Sequence, residues 1–79
     1  KQIIMNKYRE YLKDNLSIIV EKIQEVKKEK RDNFTHGELF AYYDVITLFK
    51  EQAEIFHIDL KDMGLDDYHE NDIITTNHE

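Results

Sequence analysis

The sequence predicts an all-α protein that is built on an antiparallel two-helix hairpin. Its 79 residues contain no proline and two glycines, so few residues would interrupt a helix. Apolar residues recur every three or four positions through two long segments, which is the spacing of amphipathic helices. A chain of this length forms one small domain. We therefore expect a single helical domain over residues 1–74, followed by a frayed C-terminal tail at residues 75–79.

The first helix is predicted over residues 3–31. Asp14-Asn15, in its middle, could cap a break in the helix. The apolar spacing keeps its phase through these two residues, so we predict one continuous helix. Its apolar stripe consists of Ile4, Tyr8, Leu12, Leu16, Ile19, Ile23 and Val26.

The start of the second helix is marked by a motif at residues 34–39. Thr35 and Glu38 have the spacing of a capping box, with Thr35 as the N-cap, and Phe34 and Leu39 have the spacing of a hydrophobic staple. We expect this helix to continue to residue 57. One apolar stripe consists of Leu39, Tyr42, Ile46, Phe49, Ala53 and Phe56, and a second of Phe40, Tyr43, Leu48 and Ile55 beside Val45.

Helix two has more apolar surface than one neighbouring helix can cover. An amphipathic surface helix buries about a third of its circumference, and a contiguous apolar patch beyond that usually marks an interface. We therefore predict that two hairpins associate as a homodimer, giving a four-helix bundle. The predicted interface residues are Phe40, Tyr43, Leu48 and Ile55.

The C-terminal segment is predicted to contain one short helical turn. Asp59 has the position of an N-cap, and Gly64 that of the left-handed residue that ends a helix. We expect this segment to fold back over the hairpin, and Ile73-Ile74 follow among acidic residues with no element assigned. The predicted anchors are Leu60, Met63, Leu65 and Tyr68.

No catalytic, cofactor or metal site is predicted. The chain has no cysteine, and its four histidines lack a zinc-binding spacing. The acidic segment 66–70, which includes His69, could bind a metal weakly, but an ordinary surface loop is the favoured interpretation. Capping explains Glu38, and Lys50 at i,i+4 spacing explains Glu54. We therefore expect a protein that is not an enzyme.

Charge is distributed unevenly along the chain. Residues 1–33 contain nine Lys or Arg and six Asp or Glu, whereas residues 34–79 contain two and eleven. A basic first half beside an acidic second half favours antiparallel pairing within a chain or between chains. The alternative is that these charges are simply solvated and do not indicate a partner, because exposed charge pairs contribute little to stability.

These features predict a small protein-interaction module, an adaptor or regulator that acts as a homodimer or on a basic protein partner. No apolar run approaches the length of a membrane span, and the lack of cysteine suits a cytoplasmic location. The alternative is a nucleic-acid-associated regulator that uses the basic segment 22–31, from Lys22 to Arg31. Glu21, Glu25 and Glu29 interrupt that segment, and the net charge of −6 makes nucleic acid the less favoured partner.

Overall fold

The computed structural model of the chain describes residues 2–75, with side chains from residue 6 onward. It contains four helices, α1 (Gln2–Lys27), α2 (Asn33–Ile55), α3 (Leu60–Met63) and α4 (Asn71–Ile74), and no strand within the described residues. The two long helices form a hairpin, α3 packs on α1, and α4 packs on α2. The predicted all-α hairpin is therefore confirmed. Of the predicted frayed tail, residues 76–79 lie outside the described residues, as does the side chain of Ile4.

Helix α1 is continuous through Asp14-Asn15, as predicted. Asn15 lies within the helix, and its side-chain amide donates a hydrogen bond to the carbonyl of Tyr11 one turn earlier, at 2.8 Å. The helix ends at Lys27, four residues before the predicted end. In the predicted stripe, Leu16, Ile23 and Val26 are buried, Leu12 and Ile19 are half-buried, and Tyr8 is exposed.

The capping box of α2 lies three residues before its predicted position. Asp32 is the N-cap: its carboxylate accepts a hydrogen bond from the backbone N–H of Thr35, and the Thr35 hydroxyl accepts one from the N–H of Asp32, both at 2.9 Å. The prediction of Thr35 as N-cap and Glu38 as its partner is wrong, because Thr35 itself is the partner. The predicted staple is also wrong, since the side chain of Phe34 is 73% exposed whereas Leu39 is buried.

Helix α2 ends at Ile55, two residues before its predicted end, in a Schellman motif. The N–H of Ile58 donates to the carbonyl of Ala53 at 2.8 Å, and the N–H of His57 donates to that of Glu54 at 3.2 Å. His57 has a φ of 58°, the left-handed conformation that this motif requires at the first residue beyond the cap. These bonds reverse the chain toward α3.

The segment after α2 folds back over the hairpin, and its first turn forms as predicted. Asp59 caps α3 by accepting a hydrogen bond from the N–H of Lys61 at 3.1 Å, and Gly64 ends the helix with a φ of 75°. Met63 and Leu65 are buried, and they complete a core cluster with Leu16 of α1 and Ala53 of α2, while the other predicted anchors, Leu60 and Tyr68, pack half-buried against it.

Helix α4 is the element that the sequence did not predict. Its residue Ile73 is fully buried and packs in a second core cluster with Ile23 and Val26 of α1 and with Leu39 and Ile46 of α2. Two adjacent apolar residues in a four-residue helix have too little periodicity to be recognised from spacing alone. Helix α4 therefore supplies a third side of the core, in addition to α1 and α2.

Lys50 ties the C-terminal segment to α2. Its ammonium group forms an ion pair with the Glu70 carboxylate at 2.6 Å and also donates to the carbonyl of Tyr68. The expected i,i+4 partner of Lys50 was Glu54, so this pairing corrects the sequence interpretation. The hydrogen bond from Lys50 lowers the pKa of Glu70 below its usual value.

We expect the Lys50–Glu70 ion pair to make stability depend on pH. Because the pKa of Glu70 is lowered in the folded state, its contribution is present above the pKa of an unfolded Glu, about 4.3, and is lost as the pH falls through the folded value. In Lys50→Met, chemical denaturation should show a smaller loss of stability between neutral and acidic pH than in the wild type. Lys22 is an exposed lysine of α1, and Lys22→Met is the control. This variant should show the same dependence of stability on pH as the wild type.

Candidate protein-interaction surface

The four predicted interface residues do not all share one side of α2. Successive residues of an α-helix are separated by about 100°, so Leu48 and Ile55 share one side, Tyr43 lies about 120° or more from them, and Phe40 lies between. Leu48, Ile55 and Phe40 are 53%, 64% and 58% exposed, whereas Tyr43 is half-buried against the cluster that contains Ile73. The ring of Phe40 meets that of Tyr43 edge to face, with the centroids 6.4 Å apart.

Exposed apolar residues form a row on the outward face of α2, which we call the outer row. Its members, Phe34, Ala41, Leu48 and Ile55, recur every seventh residue, and Val45 lies beside them. All five are exposed. A seven-residue repeat drifts by only about 20° per repeat on a straight helix, so these residues form a nearly straight line.

The outer row faces away from the rest of the chain. The buried residues Leu39, Ile46 and Ala53 occupy the opposite side of α2, where α1 and the C-terminal segment pack. Tyr43 is half-buried against the core cluster that includes Ile73, whereas Phe40 and Leu48 are more than half exposed. Within the described residues the chain therefore shelters only part of the apolar surface of α2.

Carboxylates line both sides of the outer row. Asp44 and Glu51 are exposed on one side, and Glu38 is half-buried on the other. Lys50, the one lysine of α2, is directed to the C-terminal segment, where it binds Glu70 and the carbonyl of Tyr68. The electrostatic potential along this face is therefore negative.

Gly37 lies on the same outward face, between Phe34 and Ala41. A Cβ atom at this position would meet no other atom within 4 Å, so nothing in the described chain requires the glycine. Glycine inside a helix is unfavourable because it loses more backbone freedom on folding than alanine does. The local structure thus gives no internal reason for a glycine at this position.

We predict that Gly37→Ala stabilises the protein by about 0.5–1 kcal/mol. The substitution keeps the helix and adds a methyl group that points into solvent, and urea denaturation measures the change. Gly64→Ala is the control, for which we expect the opposite change in stability. Gly64 has a φ of 75°, where an L-residue is strained, so this variant should lose about 1 kcal/mol. A destabilised Gly37→Ala variant would show that the glycine has a structural role.

The basic end of α1, the predicted alternative site, is partly occupied by contacts within the chain. The ammonium group of Lys27 donates to the carbonyl of Asp72 at 2.8 Å, and the guanidinium of Arg31 donates to the carbonyl of Lys27 at 3.4 Å. Glu25 and Glu29 are exposed in the same segment. The cations of this end therefore do not form an uninterrupted positive surface.

Open depressions also occur elsewhere on the described surface. One, of about 340 Å³, lies between α1 and the start of the C-terminal segment and is lined by Tyr8, Leu12, Ile58 and Met63, together with Arg9 and Asp62. No three His, Asp or Glu side chains converge as metal ligands in residues 6–75, and in segment 66–70 the Glu70 carboxylate binds Lys50. Over the described helices, no stretch is long and apolar enough to span a bilayer.

Comparison of the chain with protein-family models, with curated protein sequences and with solved structures gives no significant match.

Proposed function

We propose that this protein is a small, non-catalytic protein-interaction module that binds through the outer row of α2. The observation that carries the proposal is the straight line of exposed apolar residues on the side of α2 opposite the core. From Phe34 to Ile55 the row extends about 32 Å, at 1.5 Å per residue. An apolar row of this length is typical of a surface that another helix covers.

Site-specific photo-crosslinking tests this proposal. A photoreactive amino acid at Ala41, inside the row, is compared in the source cells with the same group at Gln24, an exposed position of α1. We expect a discrete crosslinked product from position 41 only, which disappears when Leu48→Asp is added. Circular dichroism and thermal melting of the Leu48→Asp variant check that the fold is retained. Equal products from both positions, or none from position 41, would reject the proposal.

The predicted homodimer is one form of this proposal. If two copies pair through their outer rows, light scattering should give twice the 9.6 kDa mass of the chain. Asp44 and Glu51 of one copy would then lie close to the carboxylates of the other, so self-association should strengthen as salt screens their repulsion. A mass of one chain at micromolar concentration, in both low and high salt, excludes the homodimer.

The alternative of nucleic acid binding has less support. Contacts from Lys27 to Asp72 and from Arg31 to Lys27 engage two of its cations, and acidic residues alternate with the others. A gel-shift titration at low salt tests it, because phosphate contacts are strongest under that condition. For localisation, the lack of cysteine supports a cytoplasmic protein.

A further inference from the structure

We propose that the occupant of the outer row is a basic amphipathic helix of a different protein. The inference rests on the proposed function and specifies the partner of the same surface. It follows from three properties of the outward face of α2: the sign of its flanking charges, its smallest residues and its length.

The flanking charges favour a positive partner. Glu38, Asp44 and Glu51 flank the row, and Lys50, the single lysine of α2, is held away from it by Glu70. A helix that places apolar residues in the row would carry its own flanking residues next to these carboxylates. Lysine or arginine at those positions is attracted, whereas aspartate or glutamate is repelled.

The same charges disfavour a second copy of this chain. Two α2 helices that pack through their outer rows bring carboxylates together in either orientation, because both flanks of each row are acidic. The exposed surface of α1 in a second copy is not uniformly complementary either, since it mixes both signs of charge: Lys7, Arg9, Lys13 and Lys22 with Glu10, Asp14, Glu21 and Glu25. A different protein, whose charged residues beside the interface are all basic, matches the surface better.

Gly37 and Ala41 determine where the partner helix approaches most closely. They are one turn apart on the outward face, and nothing in the described chain contacts the position of a Gly37 Cβ. Small residues at i and i+4 let two helix backbones come near each other. A close approach at this point supplies the reason for Gly37 that packing within the chain does not.

The length of the row sets the size of the partner. A helix of roughly 20 residues spans the about 32 Å from Phe34 to Ile55. Its apolar residues would recur every three or four positions, as in other helices that bind to a hydrophobic surface. A small molecule would cover only part of a row of this length, whereas one helical segment covers all of it.

A designed peptide tests the inference directly. The probe is a fluorescein-labelled 21-residue helix with leucines at alternating spacings of three and four, lysine and arginine beside them, and glutamine elsewhere. Two comparison peptides are used: one has glutamate in place of the basic residues, and the other has the basic composition in scrambled order. Fluorescence anisotropy with the full chain at low and high salt should show binding of the basic amphipathic peptide alone, weakened by salt.

Matched variants locate the binding. The triple variant Glu38→Gln, Asp44→Asn and Glu51→Gln should bind the basic peptide at least about fivefold more weakly. The control triple variant Glu21→Gln, Glu25→Gln and Glu29→Gln changes the net charge equally, on α1 and just beyond its end, and should bind like the wild type. Gly37→Ala should also weaken binding, although the fold is retained.

Each outcome has a distinct meaning. Equal binding of the scrambled or the acidic peptide, or equal weakening by the two triple variants, overturns the basic-helix inference. Self-association of the wild type overturns it in favour of a second copy. If the basic peptide does not bind but position 41 still gives a specific crosslink, the basic-helix inference is wrong and the proposed function stands. If the peptide does not bind and position 41 gives no specific crosslink, the proposed function is wrong as well.

Discussion

Ile73→Ala should lower the free energy of unfolding by about 2–5 kcal/mol. Ile73 is fully buried between the two long helices, where it packs with Ile23 and Ile46. Truncation to alanine removes this apolar contact and leaves a cavity beneath α4. Small domains are stable by only about 5–15 kcal/mol, so the variant should be largely unfolded by modest urea concentrations, as measured by circular dichroism at 222 nm.

Ile74→Ala is the matched control for this prediction. Ile74 is the neighbouring residue of the same helix, but it is half-buried and borders an open groove with Leu39 and Phe40. Its truncation removes the same number of atoms from a site that water already reaches, so its cost should be clearly smaller. Equal costs for the two variants would contradict the burial of Ile73 and the placement of α4 against the hairpin.

Thr35→Val should destabilise the protein by about 1–3 kcal/mol. Thr35 is 4% exposed, and its hydroxyl accepts a hydrogen bond from the N–H of Asp32 and lies 3.0 Å from the carbonyl of Lys30, to which it can donate. Valine has the same shape but no hydroxyl, so those backbone groups lose their partner where the chain reverses between α1 and α2. Urea denaturation measures the loss.

Two further variants separate the observed cap from the one that the sequence predicted. Thr35→Ser retains the hydroxyl and should preserve most of the stability. Glu38→Ala should change stability little, because Asp32 and Thr35 form the capping box without Glu38. A large cost for Glu38→Ala together with a small cost for Asp32→Ala would instead support the box that starts at Thr35.

The pattern of apolar residues predicted the two long helices because each follows the 3.6-residue period over many turns. The continuity of α1 through Asp14-Asn15 follows from the same period. The short helix α3 was also predicted, since Asp59 and Gly64 have the local conformational preferences that start and end a helix. These features depend on residues close together in the chain.

The sequence misplaced the cap of α2 for a physical reason. Asp32 and Thr35 are both good N-cap residues, and each is followed three positions later by a side chain that can complete a box. Only the path of the chain between the helices decides between them. In the structure α1 ends early, and the Thr35 hydroxyl lies within 3.0 Å of the carbonyl of Lys30 inside the turn, so the helix starts from Asp32.

By itself, the sequence determined that helix two has more apolar surface than helix one can cover, because hydrophobic spacing is a local property. Only the tertiary structure decided which part of that surface is sheltered. Ile73 reaches the core from a segment with no periodicity of its own, and Tyr43 is half-buried against the cluster that contains it. Leu48 and Ile55 stay exposed because they lie on the side of α2 opposite both α1 and the C-terminal segment. Which face is covered depends on contacts between residues distant in the chain, and local spacing carries no information about those contacts.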